Sequence, residues 1–180
     1  SNAQKQRDLS VSFISLGDVF LTLGRTDDAR TQFEDALEIR RTLAEADPSD
    51  AQKQRDLSLS YNKLGAVFLK LNRTDEARTQ FEDALKIART LAEADPSDAQ
   101  KQRDLMVSHY KLGQVQVQLA EYEAAIDRFQ QGIAVLDAMI ARKLHVESAA
   151  NEKVILEQQI EFCQAALLAT GDWEKIGRAH

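Results

Sequence analysis

The chain has 180 residues, a formal charge of −6 and a pI near 5.1, which argues against general nucleic-acid binding and charge-driven attachment to anionic membranes. Its 43% hydrophobic content suffices for a core, and no apolar run approaches the ~20 residues needed to span a bilayer. A single cysteine, Cys163, excludes an internal disulfide framework and fits a reducing, cytoplasmic setting.

Ser1-Asn2 reads as a remnant of tag removal and stands outside the fold argument. From Ala3 the chain repeats itself: residues 3–50 and 51–98 align without a gap, and a third, more divergent copy covers 99–146. A sustained period of this length means stacked units, because one such unit cannot bury its apolar face alone. Asp47-Pro48-Ser49-Asp50 and Asp95-Pro96-Ser97-Asp98 mark the joints between copies. There proline resists continuation of a helix, and Ser49 with Gln52, or Ser97 with Gln100, reads as a capping box.

A second break falls inside each unit, at Leu23-Gly24-Arg25-Thr26 and Leu71-Asn72-Arg73-Thr74. Gly24 and Asn72 sit where a helix end takes a left-handed residue, and Thr26 and Thr74 are expected to cap the following helix. Each unit is thereby two helices, A and B, of roughly 20 residues. Gln114-Val115-Gln116-Val117-Gln118 alternates like a strand, but the repeat register assigns it to helix A of copy three. Beyond the third copy, residues 147–180 are expected to close the stack. Asn151–Ala169 reads as a last helix A with Val154, Ile155, Ile160, Phe162 and Leu167 apolar, and Gly171-Asp172-Trp173 opens a partial helix B.

The residues at fixed places in each unit resemble the tetratricopeptide repeat. Copy one carries Phe13, Leu16, Gly17, Phe20, Ala29, Phe33 and Ala36, and copy two carries Tyr61, Leu64, Gly65, Phe68, Ala77, Phe81 and Ala84. Copy three keeps Leu112, Gly113, Ala125 and Phe129 but has His109, Gln116 and Gly132 elsewhere. The long unit is similar to the extended repeats of kinesin light chain and of bacterial multidomain regulators. The resemblance implies an all-α, right-handed α-solenoid of antiparallel helix pairs that binds protein or peptide segments and needs no cofactor.

Ten positions distinguish copy two from copy one: Val11/Leu59, Phe13/Tyr61, Ile14/Asn62, Ser15/Lys63, Asp18/Ala66, Thr22/Lys70, Gly24/Asn72, Asp28/Glu76, Glu38/Lys86 and Arg40/Ala88. Those at 11, 14, 15, 18 and 22 share one face of helix A, whereas Leu9, Phe13, Leu16, Phe20 and Leu23 form an apolar side expected in the core. The helix B changes at Asp28, Glu38 and Arg40 read as surface changes. By the resemblance, the variable face lines the inner, concave surface. Its candidate contacts are Val11, Ile14, Asp18, Asn62, Lys63, Ala66, Lys70, Tyr110, Lys111, Gln114 and Gln118, joined by the recurring Arg7, Arg55 and Arg103.

Six positive charges against Asp18 make a basic groove suited to an acidic partner segment. The competing reading pairs each arginine with an acidic residue of its own or the adjacent repeat, such as Asp8 or Glu45. Chaperone-binding members of the family grip a terminal carboxylate with Lys and Asn on the first helix A. The matching places here hold Ile14 and Asp18, then Ala66, and Asp18 would repel such a ligand.

His109, His145 and His180 have no metal-ligand spacing with Cys163, and the chain has no phosphate loop, nucleophile elbow or HExxH sequence. Catalysis is not expected. Two further readings stand beside partner binding: self-association through the exposed ends of the array, and service as the regulatory arm of a larger signalling protein.

Overall fold

The computed structural model describes residues 2–169. Within them run seven helices and no strand: α1 Asn2–Thr22, α2 Thr26–Ala46, α3 Ala51–Lys70, α4 Thr74–Ala94, α5 Ala99–Gln118, α6 Tyr122–Ala141 and α7 Val146–Ala169. The fold is an all-α helical-repeat solenoid. No helix among the described residues is long and apolar enough to cross a membrane. The expected partial helix around Trp173 lies outside the described residues. Asn2, set aside as a remnant, is the first residue of α1, and α7 begins at Val146 rather than Asn151.

The chain divides into two compact units, residues 1–87 and 88–180, with the division inside α4. In the first, α1 packs on α2 and α2 on α3. Glycine sets how closely they approach: a Cβ at Gly17 would run into the Phe33 ring, and one at Gly65 would lie 2.6 Å from Phe81 Cε1. Phe33 and Phe81 are buried to about 1% or less, between Ala29, Ala36, Ala77 and Ala84 at 0%. In the second unit α5 packs on α6 and α6 on α7, with Gly113 against Phe129. Gly132, where the other copies have alanine, leaves room for Leu156 of α7, whose Cδ2 would lie 2.5 Å from an added Cβ. Met106, Ile126, Phe129, Leu136, Met139, Leu156, Cys163 and Leu167 complete this core.

The turns inside the units share one geometry. Gly24, Asn72 and Ala120 have φ of 72°, 56° and 57°. The next amide reaches back five residues: Arg25 N to Phe20 O at 2.9 Å, Arg73 N to Phe68 O at 2.8 Å and Glu121 N to Gln116 O at 2.8 Å. This is the Schellman arrangement, which satisfies carbonyls a helix end leaves open. It also overturns the expected threonine cap. Arg25, held by the preceding helix, already accepts from Ala29 N at 3.1 Å and is the N-cap of α2, with no side-chain cap.

At the joints the cap is Asp50, not Ser49. Its carboxylate accepts from Gln52 N at 2.9 Å and Lys53 N at 3.1 Å, and Asp98 repeats this with Gln100 and Lys101. Ser49 instead donates to Asp47 Oδ1, because it stands one residue too early in the turn to reach the α3 amides.

One core expectation fails in α1. Leu9, Leu16 and Leu23 are 43%, 42% and 65% exposed, whereas Leu57 and Leu64 of α3 are at 7% and 4%. The sequences match, but α2 covers α3 while no described helix lies on that side of α1. In α7 Val154, Ile155 and Phe162 are likewise exposed; the buried positions are Ala149, Leu156, Cys163 and Leu167.

Candidate partner-binding face

The variable positions stay accessible in every copy. In α1, Val11, Ser15 and Thr22 are exposed and Ile14 and Asp18 half-buried. In α3, Leu59, Asn62, Lys63 and Ala66 are half-buried and Lys70 exposed. In α5, Val107, Tyr110, Lys111 and Gln114 are half-buried and Gln118 exposed. Across the same helices, Leu57, Leu64, Val67 and Phe68 of α3 and Leu105, Leu112 and Val115 of α5 are buried. Tyr110 is steadied from two sides, by Gln114 Nε2 donating to its hydroxyl at 2.8 Å and by the Phe129 ring at 6.0 Å. The Asn62 Oδ1 atom is buried with no hydrogen-bond donor.

The basic excess expected here is largely spent on neighbours. Arg7 Nε donates to Asp56 Oδ2 at 2.7 Å, Lys63 Nζ meets Asp18 Oδ1 at 2.6 Å, and Arg103 meets Glu152 at 2.6 Å. Arg55 and Lys111 are engaged as well. Lys70 is exposed and without an ion pair among the described residues. Pairing is thus the arrangement for Arg7 and Arg103, and Arg7 takes an acid of the adjacent repeat, Asp56, rather than Asp8 or Glu45. Asp56 serves Arg7 because it lies on the next helix A, while Asp8 is occupied by Gln4 Nε2 at 2.7 Å. Asp56 raises the Arg7 pKa through its hydrogen bond and then its charge.

Arg40 is the residue the sequence reading misplaced. It is 8% exposed, not on the surface. Its Nε donates to Ser10 Oγ at 3.1 Å, and its Nη1 donates to Asp56 O at 2.9 Å and Ser60 Oγ at 3.1 Å. Burial lowers its pKa, Asp56 opposes that, and the nearby positive charge of Arg7 adds to it. A signal was available: the corresponding residues in copies two and three are Ala88 and Leu136, at 2% and 0% exposure. A place that is apolar in two copies is an interior place.

Arg40 and Arg7 line a pocket of about 310 Å³ with Ala3, Gln4, Leu43, Asp50, Gln52, Lys53 and Asp56. Lys53 is held there by Asp47 at 2.8 Å and Asp50 at 3.0 Å. Both Asp56 oxygens are occupied, Oδ1 by Gln52 Nε2 at 2.8 Å and Oδ2 by Arg7. In the second unit, burial pushes the Cys163 thiol up to about 11, which suits a core residue rather than a nucleophile. No three His, Cys, Asp or Glu side chains among the described residues are grouped as metal ligands.

Comparison with known proteins agrees with this architecture. Residues 11–50 and 58–98 match the family model described as Tetratricopeptide repeat. No curated protein matches the sequence. Similar solved structures include aspartyl phosphate phosphatase F from Bacillus subtilis, with TM-score 0.57, 17% identity, and coverage of 97% of this chain and 44% of that one. BtubC (BKLC) from P. vanneervenii aligns with TM-score 0.56 and 16% identity, over 91% of this chain and 65% of that one. The yeast histone chaperone Hif1 gives TM-score 0.52 and 16% identity, over 73% and 55%. The chain therefore spans 44% to 65% of the length of these structures, and at such identities the likeness is one of fold. Residues 11–50 and 58–98 are thus two tetratricopeptide repeats, each with its small glycine place against a buried phenylalanine.

Proposed function

We propose that this chain is a protein- or peptide-binding scaffold, with its partner lying along the helix-A face of each unit. Tetratricopeptide repeats serve generally as protein-interaction scaffolds. Three repeats, at 3–50, 51–98 and 99–146, carry the face. One observation carries the reading: between two nearly identical copies, the differences at 11, 14, 15, 18 and 22 fall on side chains left accessible, while Leu9, Leu16, Phe20 and Leu23 on the opposite side of helix A recur as Leu57, Leu64, Phe68 and Leu71. Val11, Ile14, Asn62, Ala66 and Lys70 in one unit, and Tyr110, Gln114 and Gln118 in the other, offer apolar and hydrogen-bonding contacts to an extended or helical segment. The yeast relative in fold, described as a scaffold protein recruiting protein complexes to core histones, works in the same class of activity.

The test is affinity capture from the source lysate by the native chain and by a variant carrying Val11→Ser, Asn62→Ala and Lys70→Glu. A protein retained by the first and lost from the second supports the face; equal capture by both moves binding elsewhere.

A second reading is self-association, favoured by the apolar side of α1, where Leu9, Leu16, Val19 and Leu23 are all exposed beyond 40%. Sedimentation over a concentration series decides it: a strict monomer at every concentration removes it.

A further inference from the structure

We propose that the pocket between Arg7 and Arg40 is a carboxylate-binding site that anchors one acidic group of the partner peptide, an inference resting on the peptide-binding reading above. Arg40 is the reason to look here. A guanidinium that is 8% exposed is costly to desolvate, and the repeat does not require it, since copies two and three pack Ala88 and Leu136 at the same place. Ser10 and Ser60 hold it by Nε and Nη1, so its plane is fixed before any ligand arrives. Nη2 forms no bond among the described residues, and Arg40 lines the pocket.

Arg7 is arranged in the same way. Its Nε is spent on Asp56, leaving its two amino groups without a bond among the described residues. Arg40 bonds the main-chain carbonyl of Asp56 and not its carboxylate, whose two oxygens are filled by Gln52 and Arg7. Lys53 adds no free charge, because Asp47 and Asp50 hold it.

The cluster's three cations, Arg7, Arg40 and Lys53, face three carboxylates, Asp47, Asp50 and Asp56. A ligand carboxylate adds one negative charge there, whereas a phosphoryl dianion would add two beside Asp50 and Asp56. A planar carboxylate also matches the forked donors that arginine offers and lysine lacks. At about 310 Å³ the pocket holds one acidic residue with its flanking backbone, not a folded surface. Ile14, Asp18 and Ala66, where chaperone-binding relatives would place their carboxylate contacts, do not line this pocket.

Three pooled decapeptide libraries supply the probe. One fixes an internal Glu and carries an amidated C-terminus, one has a free C-terminus and no acidic side chain, and one is amidated and uncharged. Binding is read by fluorescence polarisation and by the Arg40 Nε–H resonance. The expected result is that an anionic pool binds and shifts that resonance, while the uncharged pool does not. The first two arms tell an acidic side chain from a chain end.

Arg40→Ala, which installs the residue copy two tolerates, should weaken binding about tenfold or more in protein whose helical circular dichroism matches the native chain at the assay temperature, and Arg40→Lys should not restore it. Equal binding of all pools, with Arg40→Ala indifferent, overturns the site while leaving the peptide-binding reading intact. Binding by no pool overturns both.

Discussion

His109 shows how one side chain can tune a repeat that is otherwise shared. Its counterparts are Phe13 and Tyr61, so an imidazole occupies a place built for an aromatic ring. It is 4% exposed with Nδ1 unpartnered, and burial first, then Arg128 and Arg89, lower its pKa to about 4. Between pH 6.5 and about 4 the unfolded chain binds a proton there and the folded chain does not. Stability contributed at neutral pH is therefore lost as pH falls through that window, up to about 3 kcal/mol. Urea midpoints measured at pH 7 and pH 5 should show the loss in the native chain and a smaller one in His109→Phe. Ala120 is a second such residue. It holds the left-handed position that Gly24 and Asn72 fill more easily, at φ 57°. Ala120→Gly should raise stability by about 0.5–1 kcal/mol, read as a higher urea midpoint at unchanged slope.

At the scale of the helix, glycine against phenylalanine is the contact that defines the pair. Gly65→Leu would place a whole side chain where a Cβ alone comes within 2.6 Å of the Phe81 ring. It should cost about 1–3 kcal/mol or more, and an unchanged denaturant midpoint would mean this contact does not bear on stability. That contact was legible in the sequence because small and large residues recur at matching places in all copies. Helix ends were legible only to a residue or two. Ser49 and Asp50 are adjacent and both good caps, so only the path of the turn distinguishes them. Thr26 looked like a cap because a sequence does not show that Arg25 is already held by Phe20 of the preceding helix. On the candidate face, periodicity picked out accessible positions but not their ion pairing. Arg7 reaches Asp56 and Lys63 reaches Asp18 across 49 and 45 residues of chain, distances at which a local reading sees only free cations.

For the molecule as a whole, what a residue contributes depends on its place in the array more than on its sequence. Leu16 and Leu64 sit in matching stretches of helices α1 and α3, yet one is 42% exposed and the other 4%. In a stacked array each unit draws its stability from its neighbours, so equal sequences need not carry equal energies. Leu64→Ala removes side-chain atoms packed under α2 and should cost about 2–4 kcal/mol, with a cavity left behind. Leu16→Ala removes atoms already in contact with water and should cost less than about 1 kcal/mol. Denaturant unfolding of the two variants at low protein concentration tests this directly. Equal costs would mean that something covers the apolar side of α1 in solution. If the Leu16→Ala penalty then grows with protein concentration, the cover is a second copy of the chain, and the self-association reading displaces the monomeric scaffold.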